Sequence, residues 1–302
     1  MSYPELDQLI KTLRSRPKVT DIGERRRNMD AFATSFPPAD DITIEPMTLG
    51  GVSAEKSQAP GDDDKGALLY VHGGGYVIGS LDSHRHVVTE AGRACGVPAY
   101  ALDYRLAPEI PFPAPVEDTL AAYRALLESG LDPSRIAIAG DSAGGGLVVA
   151  ALVAIGEADL PQPACGWSIS PWIDMEMIGE SMTTNAGSDP TVQREGLTDY
   201  SGLYLNGADA RSPLAAPLYA DLTGIAPLLI QVGSIETLLD DAVRLAGRAA
   251  SAGVATRLDV WPEMPHVWHL FHPTLAAGRK AIEEGGSFVK SAMLNGAPFT
   301  AR

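Results

Sequence analysis

A serine hydroxyl becomes a useful nucleophile only when a base takes its proton and a third group steadies that base. Ser142 is the serine of this chain best placed for such treatment. It is the centre of Gly140-Asp141-Ser142-Ala143-Gly144. Before it runs Arg135-Ile136-Ala137-Ile138-Ala139, a β-branched apolar stretch that reads as a buried strand. After it, residues 145–153 form a small-residue apolar run long enough for a buried helix. Between strand and helix, G-x-S-x-G predicts a turn so tight that its serine adopts a strained backbone. Side chains two residues either side would strike the neighbouring strand and helix, and Gly140 and Gly144 have none. Such a turn lifts the Ser142 hydroxyl clear and aims the first helical N–H groups at any negative charge formed there. On this stretch alone, a glycine-rich turn with an incidental serine is an equal alternative.

Of the six histidines, His266 suits the base best. It follows Trp261-Pro262-Glu263-Met264-Pro265, just past a predicted strand, and such partners gather on loops at the carboxyl ends of strands. His269 and His272 share its segment, so H-x-x-H-x-x-H also invites a zinc reading. No carboxylate helix or cysteine pair accompanies it, and Pro273 interrupts its end. No metal or cofactor is therefore expected. For the acid, predicted strand 228–232 leads into Gly233-Ser234-Ile235-Glu236-Thr237-Leu238-Leu239-Asp240-Asp241. Glu236, four residues past the strand, is the better candidate. Asp240 is the alternative, although it and Asp241 suit a helix start, where acids favour the dipole. Gly73-Gly74-Gly75 follows a predicted strand at 67–71 and offers N–H groups with no side chain in the way. With the Ala143 N–H, these are the parts of an oxyanion hole. A phosphate loop would need a P-loop lysine, or G-x-G-x-x-G with a downstream acid, and the chain has neither in place.

The elements that must position these residues alternate along the chain. Leu6, Leu9, Ile10 and Leu13 mark one face of a short helix. A second helix starts at Asp21, with Glu24 as its capping-box partner, and stops at Pro37-Pro38. Strands are expected at 41–47, 50–57, 67–71, 98–102, 135–139, 165–169, 228–232 and 256–261. Helices are expected at 83–95, 116–129, 193–205, 238–252 and 274–293, besides the one after Ser142. Residues 106–115 hold four prolines and read as an extended connection. Strands separated by helices predict an α/β class, with a mainly parallel sheet covered on both faces and no linker dividing the chain.

Composition narrows the function further. At 302 residues the chain can bury roughly three quarters of its unfolded surface. A formal charge of −15 argues against nucleic acid, and equally against an anionic membrane surface. Cys95 and Cys165 cannot make a disulfide framework and read as small core residues. The start of the chain has acid where a signal peptide needs base, so a cytoplasmic location is expected.

His72-Gly73-Gly74-Gly75, Asp103-Tyr104-Arg105-Leu106-Ala107-Pro108-Glu109 with Pro111-Phe112-Pro113-Ala114, Gly140-Asp141-Ser142-Ala143-Gly144-Gly145, Ser170-Pro171-Trp172 and Ser212-Pro213-Leu214-Ala215 follow one another in this order. Together, from about residue 60 to 275, they resemble the bacterial hormone-sensitive-lipase family of esterases. The resemblance implies an α/β-hydrolase fold with a helical cap. Residues 1–40 would supply N-terminal cap helices, and 41–302 the catalytic domain with a cap insertion at about 171–217. It makes Ser142 the nucleophile, His266 the base, and Gly74, Gly75 and Ala143 the oxyanion donors. The family usually has Asp-Pro-Leu-x-Asp where this chain has Glu236-Thr237-Leu238-Leu239-Asp240, so the acid here would be Glu236. The expected activity is hydrolysis of short- to medium-chain carboxylic esters through an acyl-enzyme. Trp172, Met175, Met177, Ile178 and Met182 are expected to wall the acyl pocket. Lactone hydrolysis is the alternative within the same chemistry, since 233–248 and 261–271 resemble lactone-opening members. A non-catalytic ligand-binding homologue would lack a nucleophile or base, and both are present. The expected partner is a small ester or lactone, with neither nucleic acid nor membrane; a homodimer is left open.

Overall fold

The computed structural model describes residues 4–17 and 19–295. The first three residues, part of the acidic start, and residues 18 and 296–302 of the two expected segments lie outside them. In chain order the helices and strands are α1 (Pro4–Arg14), α2 (Ile22–Ala33), β1 (Thr43–Leu49), β2 (Val52–Gln58), β3 (Ala67–Val71), α3 (Leu81–Cys95) and β4 (Ala99–Leu102). Then come α4 (Ala114–Glu128), β5 (Ile136–Asp141), α5 (Ala143–Glu157), β6 (Cys165–Ile169), α6 (Ser181–Thr184) and α7 (Arg194–Leu205). The chain closes with β7 (Leu228–Gly233), α8 (Leu239–Ser251), β8 (Thr256–Trp261) and α9 (Ala276–Asn295).

The strands form one sheet in the order β1-β2-β4-β3-β5-β6-β7-β8. β1 and β2 pair antiparallel, as do β2 and β4; every later pairing is parallel. Residues of β3, β5, β6 and β7 are buried throughout, which explains why their sequences are mostly apolar rather than alternating, with Asp141, Ser168 and Gln231 as buried polar members. The two faces still separate by the period-2 rule. Leu68 and Tyr70 pack with Val87, Val88 and Ala91 of α3 and Ile282 and Val289 of α9. Leu69 and Val71 point the other way, into a core with Tyr123 and Leu126 of α4, Leu147 of α5 and Leu245 of α8. Cys95 and Cys165 are buried and free.

Parallel strands all end at one edge, so the segments after β3, β5, β6, β7 and β8 emerge together. These are the segments carrying Gly73–Gly75, Ser142, Ser170, Glu236 and His266. α1 lies against the last of them. Its Leu6 and Leu13 pack with Met264, Trp268 and Phe271, which flank His266. α2 is capped by Asp21, whose Oδ1 accepts from the Glu24 N–H at 2.7 Å, while no return bond from the Glu24 side chain completes the expected box among the described residues. Its Arg26 donates to the Val77 and Ala107 carbonyls and pairs with Glu109.

Several bounds differ from expectation: α2 stops at Ala33, short of Pro37-Pro38, two helices start early for identifiable reasons, and one short helix was not expected. α4 begins at Ala114 rather than 116, because Pro115 in a first turn sacrifices no intrahelical bond. α3 begins at Leu81, where Ser80 and Ser83 form a reciprocal capping box. The four residues of α6 are too few for any periodicity to announce them. Of the five expected pocket residues, Ile178 is exposed, whereas Trp172, Met175, Met177 and Met182 are buried.

A matched pair of glycines tests the packing at the sheet edge. A Cβ on Gly144 would lie 2.1 Å from the Val71 oxygen and 2.6 Å from the His72 oxygen, whereas one on Gly247 in α8 meets nothing within 4 Å. Gly247→Ala should stabilise by about 0.5–1 kcal/mol. Gly144→Ala should destabilise by about 1–3 kcal/mol or more. Thermal unfolding of the two variants checks both signs.

Candidate active site

β5 delivers Ser142 and α5 begins at the next residue. Ser142 takes φ 55° and ψ −119°, a region that L-residues rarely occupy. Three main-chain bonds hold it there. Its N–H donates to the Ile169 carbonyl (2.8 Å), and its carbonyl accepts from Gly146 and Trp172 (3.0 Å each). The strained serine is thus fastened to the end of β6 as well as to its own helix.

Ser142 Oγ lies 2.9 Å from His266 Nε2, and His266 Nδ1 lies 2.7 Å from Glu236 Oε2. With the ring proton on Nδ1, the hydroxyl donates to the imidazole and the imidazole donates to the carboxylate. Ser142 and His266 are partly exposed, whereas Glu236 is fully buried. Its other oxygen, Oε1, accepts from the Ser170 hydroxyl (2.8 Å) and the Gly233 N–H (2.5 Å). Burial pushes the Glu236 carboxyl above its ordinary value, and the His266 and Gly233 donors oppose that push. Burial alone would lower His266, but the hydrogen bond and charge of Glu236 outweigh it. Asp189 and Asp141 add charge of the same sign, so the ring titrates above the ordinary histidine value.

The glycine loop is moored to the same turn. The Gly73 N–H and the Tyr70 hydroxyl both donate to Asp141 Oδ1, at 3.1 and 3.0 Å. Asp141 directly precedes Ser142, and its other oxygen lies 3.4 Å from His84 Nε2. Gly74 and Gly75 take φ of 116° and 64°. The Tyr200 ring of α7 sits over Gly75, where a Cβ would fall 2.2 Å from Cδ2. Through its Gly73 N–H the loop is therefore joined to the residue that precedes Ser142.

Asp240, the alternative acid, is committed elsewhere. Its carboxylate accepts from the Ser181 N–H and its own N–H donates to Ser181 Oγ, both at 2.9 Å. Asp241 Oδ2 accepts from the Ile173 and Asp174 N–H groups, and burial pushes its carboxyl up to about 7. The three histidines of the zinc reading enter three different networks. His269 Nε2 meets Gln231 Oε1 at 3.0 Å, and the His272 ring stacks on His86. Among the described residues no group of three His, Cys, Asp or Glu side chains is arranged to hold a metal.

Ser170 is a member that sequence reasoning missed. Its hydroxyl donates to Glu236 and accepts from the Val267 N–H (3.2 Å), tying the acid to the residue after His266. The available signal was its place immediately after β6, at the edge where the other site residues emerge.

A family profile described as the α/β hydrolase fold matches residues 68–270. An acetyl-hydrolase of Streptomyces hygroscopicus is 46% identical over 299 residues, covering 97% of this chain and 98% of the relative. The crystal structure of an esterase from the bacterial hormone-sensitive lipase family superposes with a TM-score of 0.94 at 53% identity, covering 97% and 99% of the two chains. EstE5, in a crystal soaked with p-nitrophenyl butyrate, superposes with a TM-score of 0.94 at 46% identity, again over 97% and 99%. This chain belongs to the bacterial hormone-sensitive-lipase family of α/β hydrolases. As a family member it is an enzyme of the esterase type. No helix among its described residues is long and apolar enough to cross a membrane.

Two measurements follow from the line through His266. A base raised by its carboxylate is neutral only at higher pH, so kcat/KM should rise with pH along a limb above the ordinary histidine value of about 6.5. Glu236→Gln should move that limb to lower pH and cost on the order of 10⁴ in kcat, whereas Asp240→Asn should cost much less. A dead Asp240→Asn beside a nearly normal Glu236→Gln would reverse the assignment.

Proposed function

We propose that this enzyme hydrolyses carboxylic esters with short to medium acyl groups through an acyl-enzyme on Ser142. The continuous hydrogen-bonded line from Ser142 Oγ through His266 to Glu236 is the observation that carries the reading. Ser142 Oγ attacks the ester carbonyl as its proton passes to His266 Nε2. The Gly74, Gly75 and Ala143 N–H groups donate to the oxyanion that forms. Glu236 holds the ring with Nδ1 protonated and stabilises the imidazolium. The Nε2 proton then goes to the departing alkoxide, leaving Ser142 acylated. Water, deprotonated by the same imidazole, attacks the acyl carbon; the bond from that carbon to Ser142 Oγ breaks, Nε2 returns the proton to Oγ, and the carboxylic acid leaves.

Preference for small acyl groups is supported by the Tyr200 ring over Gly75, which narrows the space above the oxyanion loop. It is also supported by the acetyl-hydrolase named among the relatives. On this reading α1, α2 and the chain from 171 to 217 form a cover over the site. Arg25 lies over the Tyr200 ring at 5.3 Å, and Arg14 donates to the Gly187 carbonyl at 3.1 Å, so the N-terminal helices and that segment touch.

Ser142→Ala should lower kcat on p-nitrophenyl acetate by about five to six orders of magnitude. Retention of a tenth of the activity would sink the nucleophile assignment. Across p-nitrophenyl esters from acetate to palmitate, kcat/KM should peak at short to medium chains and fall at long ones. Lactones tested beside them decide whether cyclic esters are the better substrates.

A further inference from the structure

The chain between β6 and α7 grips the Glu236 loop from outside. Ser181 Oγ donates to the Thr237 carbonyl (2.7 Å). Asn185 Nδ2 donates to the carbonyls of Glu236 (2.8 Å) and Ser234 (3.2 Å). The third contact is a carboxylate. Asp189 is 4% exposed, and its Oδ2 accepts from the Thr237 N–H (2.9 Å) and hydroxyl (3.2 Å). Its Oδ1 accepts from the Thr191 N–H and hydroxyl and the Val192 N–H, at 2.9, 3.0 and 3.0 Å. Among the described residues Asp189 forms no ion pair. Arg14 of α1 approaches the same segment but donates to the Gly187 and Ser188 carbonyls instead. Only a carboxylate presents acceptors on both oxygens to these donors; an amide or a hydroxyl in its place would leave some of them unmet, so the charge is buried where it holds this segment to the Glu236 loop.

We propose that Asp189 is a positioning residue for the reaction. It fixes the Glu236 loop through Thr237, and its negative charge joins that of Glu236 in favouring the His266 imidazolium. The proposal rests on the reading of Ser142, His266 and Glu236 as a triad. The charged groups acting on His266 are Glu236 after β7, Asp189 from the segment before α7, and Asp141 at the end of β5. Asp189 is the one of these that touches neither the imidazole nor the glycine loop, so its charge can be removed without breaking either contact.

Two variants separate position from charge. Asp189→Asn removes the charge and disturbs the loop, whereas Asn185→Ala releases the same loop and leaves the charge. Asp189→Asn should lower kcat on p-nitrophenyl acetate by about ten- to a hundredfold, as a small misplacement of a catalytic group does. KM should stay within about twofold, and the acid limb of the pH profile should move to lower pH. Asn185→Ala should lower kcat with the limb in place. An unchanged kcat in Asp189→Asn, or a loss with the limb unmoved, overturns the proposal. If Asp189→Asn does not fold, Thr237→Val removes the hydroxyl that Asp189 shares with the Val192 carbonyl and leaves the Thr237 N–H bond in place; a several-fold loss of kcat at constant KM supports the proposal and no loss overturns it. Ser142→Ala and Glu236→Gln run alongside. If the triad reading itself fails, Ser142→Ala stays active and Glu236→Gln leaves the limb where it was. If only the proposal fails, both behave as a triad demands and Asp189→Asn alone departs.

Discussion

The whole site depends on how closely two pieces of backbone cross. The end of β3 passes the elbow with the Val71 oxygen 2.5 and 2.1 Å from where Cβ atoms on Gly140 and Gly144 would stand. That approach lets the chain reverse within one residue and obliges Ser142 to take its left-handed conformation. The same crossing brings the glycine loop, which continues from β3, beside the serine. A single steric constraint therefore sets the elbow and the glycine loop side by side, and Asp141 secures the arrangement by accepting from the Gly73 N–H.

The second organising element is electrostatic. Glu236 is buried with no Arg or Lys ion pair among the described residues, and its oxygens are met by His266, Ser170 and Gly233. Such a carboxylate is costly to bury unless its donors are fixed, and each of these donors belongs to the end of a different strand. The rigidity of the parallel sheet is thereby spent on orienting one imidazole. The cost of burial and the elevation of His266 are two aspects of the same arrangement.

Much of this was legible in the sequence because it is local. The elbow joins a strand directly to a helix, the glycine loop follows a strand whose composition marks it as buried, and His266 follows a strand that alternates. Glu236 was preferred to Asp240 because acids at a helix start have an independent use; in the structure Glu236 meets His266 and Asp240 is bonded to Ser181. The contributions of Ser170, Asn185 and Asp189 were not legible. Each acts on a residue 48 to 66 positions away, and polar residues in a long irregular stretch look alike until their partners are known. Pro115 misled in the opposite direction: a proline reads as a break, yet in a first turn it is no obstacle.

The segment between β6 and α7 is the one that holds the Glu236 loop. Ser181, Asn185 and Asp189 are bonded to residues 234–240, so the two stretches share a network rather than a mere boundary. For recombination between relatives this makes the two stretches one inheritable block. A chimera that imports a foreign stretch between β6 and α7 to alter selectivity also imports a foreign clamp on Glu236. Exchanges that keep residues 181–193 with 233–241 preserve the alignment of the acid, and those that divide them put it at risk.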